Sequence, residues 1–160
     1  MKSRFVSLFA VVCCVFVCVG GPSSAPAANI NANTTQCNAL DPAQIDLVLH
    51  DAIGVRTAPS VDAPLLVICP VPRSPLTAQA TGGFYVDGDN QSGASTMCWL
   101  ESFDYTGIWL ADAAFTTTEA RYDRYLGMPT AALTTWAYLS LQCYLPPHGQ
   151  GVLRGVTSMQ

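Results

Sequence analysis

Proline, glycine, asparagine and aspartate interrupt the chain at short intervals from residue 50 onward. The apolar segments between these interruptions have the length of β-strands, and their spacing is typical of strands rather than helices. Proline cannot donate a hydrogen bond to a β-ladder. The strand predicted at residues 65–71, which ends among several prolines, should therefore finish at the edge of a sheet.

Seven or eight short strands are predicted. They lie at residues 53–57, 65–71, 77–86, 96–103, 108–117, 131–145 and 152–159, and residues 119–126 form either a strand or one turn of helix. The composition of residues 87–90 predicts a turn, and residues 104–107 should join two strands in a hairpin. With no βαβ alternation, this pattern predicts an all-β fold, an antiparallel β-sandwich of the jelly-roll kind.

The segment before these strands gives weaker signals. Residues 28–36 are small and polar and are predicted to form a flexible N-terminal arm, which leaves a single domain at residues 37–160. Asp41 can cap a helix and Pro42 suits its first position, so one short helix is predicted. The alternative is a short turn that leads into a strand at residues 45–51.

The N-terminus has the three parts of a secretory signal peptide. Lys2 and Arg4 precede an apolar run at residues 5–19, and Ala25-Pro26-Ala27 forms an A-x-A cleavage site. A membrane span needs about 20 apolar residues, and this run is shorter. We therefore predict that residues 1–27 are removed, that the product has no membrane segment, and that it is secreted or periplasmic.

Cysteine usage fits export to an oxidising compartment. Three cysteines lie in the predicted signal peptide, and four remain: Cys37, Cys69, Cys98 and Cys143. An even number in an exported domain predicts two disulfides, with three possible connectivities. Metal sites need closely spaced ligands such as C-x2-C, and these cysteines are widely separated, so no metal or other cofactor is predicted.

Strand periodicity suggests which cysteines pair. Alternate residues of a strand point to opposite faces, so Leu141, Cys143 and Leu145 share the core face of the late strand. Cys98 and Leu100 share one face of the strand at residues 96–103. If both cysteines face the core, a Cys98–Cys143 bridge is natural, and Cys37–Cys69 follows by elimination.

The opposite face of the late strand is aromatic. It carries Trp136, Tyr138 and Tyr144, with Trp99 beside them, on an outer face of the sandwich. Rows of exposed aromatic side chains are typical of surfaces that bind a sugar ring or a protein partner. The alternative is that a loop or the N-terminal arm covers this face and makes it a second small core.

Catalytic signals are weak. The chain has two histidines. His148, in a Pro-Pro-His-Gly turn, is interpreted as a solvated loop residue, and His50 as a packed or surface residue. There is no G-x-S-x-G motif. Glu101, Asp104 and Asp112 could supply two carboxylates for glycoside hydrolysis, but they occupy hairpin positions where soluble strand pairs often carry acids.

Two further patterns limit the binding partners. Asp87, Asp89 and Gln91 alternate like calcium ligands, but no acid follows at the closing position, so a plain turn is favoured. Five arginines and no lysine remain after the signal peptide, against eleven carboxylates. Nucleic acid and anionic membranes are poor partners for such an acidic chain.

Three segments carry a resemblance to known proteins. They are Gly54-Val55 leading to Val67-Ile68-Cys69-Pro70-Val71-Pro72-Arg73, then Met97-Cys98-Trp99-Leu100, and then Leu139-Ser140-Leu141-Gln142-Cys143-Tyr144-Leu145-Pro146-Pro147. Over residues 50–160 the chain resembles small, uncharacterised exported bacterial proteins with a CPVPR-like strand and a late LxCxLPP-like strand. The resemblance implies a secreted bacterial β-sandwich and transfers no activity or ligand.

The sequence therefore predicts a monomeric, exported, non-catalytic β-sandwich that binds a polysaccharide or a surface protein through its aromatic face. The alternatives are a secreted hydrolase with acidic cleft residues and a structural component of an envelope or appendage.

Overall fold

A computed structural model describes residues 29–73 and 82–159, and it contains eleven β-strands. The strands are β1 (Ile30–Asn33), β2 (Asn38–Ala39), β3 (Val48–Asp51), β4 (Gly54–Thr57), β5 (Leu65–Pro70), β6 (Gly83–Asn90), β7 (Thr96–Phe103), β8 (Trp109–Thr117), β9 (Arg121–Gly127), β10 (Tyr138–Leu145) and β11 (Gly151–Met159).

The strands form two antiparallel sheets. The six-stranded sheet has the order β3-β4-β11-β6-β9, with β1 also paired to β11, and the five-stranded sheet has the order β2-β5-β10-β7-β8. The chain changes sheet at every connection except the hairpins β3–β4 and β7–β8. The predicted antiparallel sandwich is confirmed. The strand number exceeds seven or eight because β1 and β2 were not predicted and β3 was predicted only as an alternative to a helix.

The hydrophobic core lies between the sheets and follows the alternation of each strand. Buried apolar side chains come from both layers and form one cluster. From the six-stranded sheet they include Val55, Phe84, Val86, Leu126, Leu153 and Val156, and from the five-stranded sheet Leu65, Val67, Leu100, Leu141 and Leu145. Since these positions alternate with outward-facing ones, each sheet has a separate outer face.

The predicted N-terminal arm is structured in its described part, which corrects the expectation of a loose segment. Ile30–Asn33 forms β1, antiparallel to β11. Thr34 is buried, and its hydroxyl donates to the carbonyl oxygen of Leu153. The arm is ordered because β11 offers it backbone hydrogen bonds, a long-range contact that local composition does not reveal.

Both interpretations of residues 38–50 are partly correct. A 3₁₀ helix runs over Pro42–Leu47, and the Asp41 carboxylate accepts a hydrogen bond of 2.9 Å from the Ala43 amide. The helix is short, and β3 follows it directly.

The predicted turn at residues 87–90 is wrong. These residues form the second half of β6, which pairs with β9 on one side and β11 on the other. Pairing on both sides satisfies the backbone of this polar segment and outweighs its turn-like composition. Asp87 and Asp89 are therefore strand residues and not part of a calcium loop. Among residues 29–73 and 82–159, no cluster of three or more His, Cys, Asp or Glu side chains could hold a metal ion.

Two disulfides cross-link the five-stranded sheet from its core side. Cys37, just before β2, bonds to Cys69 of β5, and Cys98 of β7 bonds to Cys143, its direct neighbour on β10. All four cysteines are buried. Such bridges form in oxidising compartments. The predicted signal peptide lies outside the described residues, and within the described ones no helix is long and apolar enough to cross a bilayer.

Candidate binding site on the outer face of the five-stranded sheet

Strand β10 lies between β5 and β7 in the five-stranded sheet. As predicted, its apolar side chains point to one face of the sheet and its aromatic side chains to the other. Leu141, Cys143 and Leu145 point into the core and are fully buried. Tyr138 and Tyr144 point outward and are 66% and 41% exposed. They are six residues apart, which corresponds to about 20 Å along an extended strand.

Strand β7 continues this face beside β10. In the register of the two strands, Tyr138 lies opposite Phe103 and Gln142 lies opposite Trp99. We call the outward aromatic side chains of this sheet and its flanking turn the aromatic face. Its members are Trp99, Phe103, Trp109, Trp136, Tyr138 and Tyr144.

One end of the aromatic face is a pair of rings. The ring centroids of Trp99 and Tyr144 are 5.5 Å apart, with an interplanar angle of 50°. Trp99 is half-buried, whereas Tyr144 is exposed. Tilted contacts at this distance are favourable for aromatic rings, so the pair holds Trp99 in a defined orientation.

The other end of the aromatic face crosses three strands. Tyr138 on β10, Phe103 on β7 and Trp109 on β8 occupy one row, and Trp109 is 53% exposed. A register irregularity between Ser102 and Phe103 sets Trp109 rather than Leu110 opposite Phe103. The irregularity turns Trp109 outward while Leu110 packs against the core.

Trp136 lies at this end of the aromatic face, in a turn and not in a strand. The prediction that residues 131–145 form one strand is therefore wrong. Thr130–Ala132 is a 3₁₀ turn, and β10 begins only at Tyr138. Trp136 is 70% exposed. Strand periodicity therefore does not set its orientation, and the position depends on what holds the turn.

Arg73 holds that turn. Its Nη1 donates to the carbonyl oxygens of Thr134, at 2.6 Å, and Ala137, at 3.4 Å, and its Nη2 donates to that of Leu133. Partial burial lowers the pKa of the Arg73 guanidinium from its usual value, although arginine stays charged at physiological pH. The Arg73 guanidinium thus bonds to three backbone carbonyl oxygens in place of a carboxylate.

A groove lies beside Arg73 and the turn that it holds. Its volume is about 450 Å³, and it is lined by Pro70, Val71, Arg73, Thr135, Trp136, Ala137, Tyr138 and Leu139. The groove is mostly apolar, with an exposed Trp and an exposed Tyr among its walls. The groove extends the aromatic face past the first residue of β10, toward the end of β5.

The middle of the face is polar. Glu101 on β7 lies directly opposite Asp112 on β8, and the side-chain amide of Gln142 donates to the Glu101 carboxylate. The hydroxyl oxygen of Ser140, opposite Glu101 on the other side, is buried and makes no hydrogen bond to a described residue. Aromatic rings thus flank a hydrogen-bonding centre.

Asp104, a third candidate acid, has a local structural role. Its carboxylate accepts hydrogen bonds from the amides of Thr106 and Ile108, at 2.8 and 2.9 Å, in the β7–β8 turn. Hydrogen bonds from the Thr106 hydroxyl and the Ile108 amide lower the pKa of Asp104. This carboxylate shapes the hairpin.

The two histidines lie elsewhere. His50 is on β3 of the six-stranded sheet, and His148 is in the β10–β11 connection, with its Nδ1 3.1 Å from the carbonyl oxygen of Pro59.

Comparison with known proteins gives only a general likeness. No family model matches the chain, and no curated protein matches it. Two solved structures are similar. Xylanase10C (mutant E385A) from Cellvibrio japonicus in complex with xylopentaose has 14% sequence identity and a TM-score of 0.46. A structure described as the structural basis for the promiscuous specificity of carbohydrate-binding modules from the β-sandwich superfamily has 9% identity and a TM-score of 0.41.

These likenesses cover 81% and 83% of this chain but only 28% and 52% of the two matched chains. At such identities and TM-scores they carry no argument about function.

Sequence reasoning missed an outer face on the other sheet. We call it the charged face, and it comprises Tyr85, Asp87, Asp89, Arg121, Asp123, Tyr125 and Arg154. Alternation at residues 85, 87 and 89 would have indicated it if the strand had been extended through residue 90. Because residues 87–90 have the composition of a turn, the predicted strand ends at residue 86.

The side chains of the charged face contact one another. Asp89 pairs with Arg154 and, at 3.5 Å, with Arg121. The ring centroids of Tyr85 and Tyr125 are 5.3 Å apart. The Tyr125 ring also lies close over the backbone of Gly83. A Cβ atom added to Gly83 would be only 3.0 Å from this ring.

Proposed function

We propose that this protein is an exported, monomeric polysaccharide-binding module that uses the aromatic face and catalyses no reaction. The observation that carries the proposal is the arrangement of that face. Exposed aromatic rings stand at both ends, about 20 Å apart along β10, with hydrogen-bonding groups between them.

This arrangement suits the chemistry of a sugar chain. A pyranose ring has an apolar side of C–H groups that packs on an aromatic ring, and a rim of hydroxyls that needs hydrogen-bond partners. Trp136 and Tyr138 offer exposed rings, while Glu101, Asp112 and Gln142 offer acceptors and a donor. The length of the face accommodates more than one sugar ring.

The N-terminal arm does not cover this face in the described structure. β1 pairs with β11 in the six-stranded sheet, on the other side of the sandwich. The alternative in which the N-terminal arm covers the aromatic residues is therefore not supported, and a binding surface is favoured.

A hydrolase is a weaker candidate. Glu101 and Asp112 face each other on the outer surface of the sheet, and Asp112 is exposed. Acid–base catalysis at a glycosidic bond relies on a carboxylic acid whose pKa is raised by a water-poor site, which an open sheet face does not supply.

Affinity electrophoresis of the mature chain through gels containing soluble polysaccharides tests the proposal. We expect retardation on at least one polysaccharide and its loss in Trp136→Ala and Tyr144→Ala, with an unchanged circular dichroism spectrum. Tyr125→Ala is the matched control, because Tyr125 is 54% exposed on the opposite sheet. Equal retardation of all three variants and the wild type would refute the proposed site.

A further inference from the structure

The charge of the aromatic face indicates which polysaccharides it selects. Glu101 and Asp112 occupy directly opposite positions on β7 and β8. Within the described residues, neither carboxylate has a cationic partner, and Glu101 accepts a hydrogen bond only from the neutral amide of Gln142. Like charges at directly opposite positions destabilise a strand pair.

The arginines of the described chain are engaged elsewhere. Four of them pair with carboxylates outside the aromatic face: Arg56, Arg121, Arg124 and Arg154. Arg73 lies at the edge of the face, but its guanidinium is bonded to backbone carbonyls. The negative charge at the centre is therefore left for a ligand to neutralise.

We infer that the preferred ligand is a polysaccharide of amino sugars with free ammonium groups. This inference rests on the proposed function and narrows its substrate class. Two features of the face favour such a ligand over a neutral glycan. An ammonium group pairs with the Glu101 and Asp112 carboxylates, and it is attracted to the electron-rich faces of the neighbouring indole and phenol rings. The same carboxylates repel uronic-acid and sulfated chains.

Titration calorimetry in mildly acidic, low-salt buffer tests the inference with glucosamine oligomers and their N-acetylated counterparts of equal length. Both carry the same sugar rings, but only the first carries positive charge. We expect the glucosamine oligomer to bind about three- to tenfold more tightly, as two exposed ion pairs of modest strength allow. The preference should shrink in buffer of about 0.5 M salt.

Glu101→Gln and Asp112→Asn should each reduce this preference, because each removes one negative charge but keeps one acceptor oxygen for a sugar hydroxyl. The glucosamine oligomer should therefore lose more affinity than the N-acetylated oligomer in both variants. Asp46→Asn is the control for net charge, because Asp46 is exposed on the 3₁₀ helix of residues 42–47, which follows β2 at the opposite edge of the five-stranded sheet from β8. It should keep the full preference.

The outcomes separate the two proposals. Equal affinity for charged and N-acetylated oligomers would overturn the inference while leaving a glycan-binding face in place. Binding to neither oligomer nor to any neutral polysaccharide would overturn the proposed function as well. Tighter binding of a lysine-rich peptide than of any oligosaccharide would overturn the inference in favour of a cationic protein partner.

Discussion

The two outer faces of the sandwich differ in how their side chains are satisfied. On the charged face, Asp89 bonds to two arginines and the ring of Tyr125 covers glycine backbone and contacts Tyr85. On the aromatic face, Trp136 and Tyr138 project into solvent and Asp112 lacks a described partner. Arginines therefore neutralise part of the charged face, although Asp87 lies opposite Asp123 there, whereas Glu101 and Asp112 on the aromatic face have no arginine partner among the described residues.

The two sheets also differ in their disulfides. Both bridges cross-link strands of the five-stranded sheet on its core side, and the described structure has no disulfide in the six-stranded sheet. The sheet that carries the aromatic face is therefore cross-linked on its buried side, and its outward side chains take no part in the bridges.

Removal of the central bridge should have the largest effect. The double variant Cys98→Ala, Cys143→Ala is expected to lose about 2–5 kcal/mol of unfolding free energy, the usual cost of deleting a native disulfide from a small secreted domain. Urea denaturation followed by tryptophan fluorescence measures this loss. An unchanged midpoint would show that the five-stranded sheet does not depend on the bridge.

Arg73→Gln should weaken glycan binding without unfolding the domain. Glutamine cannot reach three carbonyls, so the turn at residues 133–137 loses its anchor and Trp136 loses its fixed position. Loss of one aromatic contact of about 1 kcal/mol corresponds to roughly a fivefold weaker affinity.

Affinity electrophoresis measures the binding of Arg73→Gln, and the indole resonance of residue 136 reports the position of the ring. Arg73→Lys should behave similarly, because a lysine ammonium lacks the planar fork that spans these carbonyls. Wild-type affinity in both variants would rule out an anchoring role for Arg73.

Matched acid-to-amide variants compare the two faces directly. Asp89→Asn removes the charge that binds Arg121 and Arg154 and should destabilise the domain by about 0.5–1 kcal/mol. Asp112→Asn removes a like charge opposite Glu101 and should leave stability unchanged or slightly higher. Thermal unfolding of both variants in the same buffer measures the difference, and equal losses would contradict the division between the faces.

The smallest effect concerns pH and the charged face. Burial, the charge of Asp123 and a hydrogen bond to Asp123 raise the pKa of Asp87 above its ordinary value of 3.8. The folded state therefore favours protonated Asp87, and the stability that this provides is lost as pH rises through the folded-state pKa.

Asp87→Asn should consequently be more stable than the wild type at neutral pH, and the difference should shrink toward acid. Thermal unfolding across this range measures the trend, with Asp46→Asn as the control. A constant difference at every pH would show that Asp87 does not titrate in this way.

Much of the fold was predictable because it depends on period-two alternation, which local sequence carries. Strand β7 and the core side of β10 follow that rule closely, and the positions of Cys98 and Cys143 follow from it. Features set by distant partners were not predictable. β1 needs β11 for its hydrogen bonds, and residues 87–90 look like a turn until strands on both sides pair with them.

The candidate site shows the same limit. Trp99, Tyr138 and Tyr144 could be placed on one face from alternation alone. Trp109 depends on a register irregularity, and Trp136 depends on carbonyls anchored by Arg73, which is about 60 residues away in sequence. The aromatic face therefore depends both on alternation along its strands and on contacts between residues that are far apart in the sequence.

If the aromatic face binds glycans, the chain's own tryptophans should report the binding. All three tryptophans, Trp99, Trp109 and Trp136, belong to this face, so the indole N–H resonances report on it alone. Titration of ¹⁵N-labelled protein with glucosamine oligomers should shift the Trp136 and Trp99 indole resonances saturably, while the Tyr85 and Tyr125 amides stay fixed. Shifts confined to Tyr85 and Tyr125, or none at any oligomer concentration, would show that the aromatic face does not bind the oligomer.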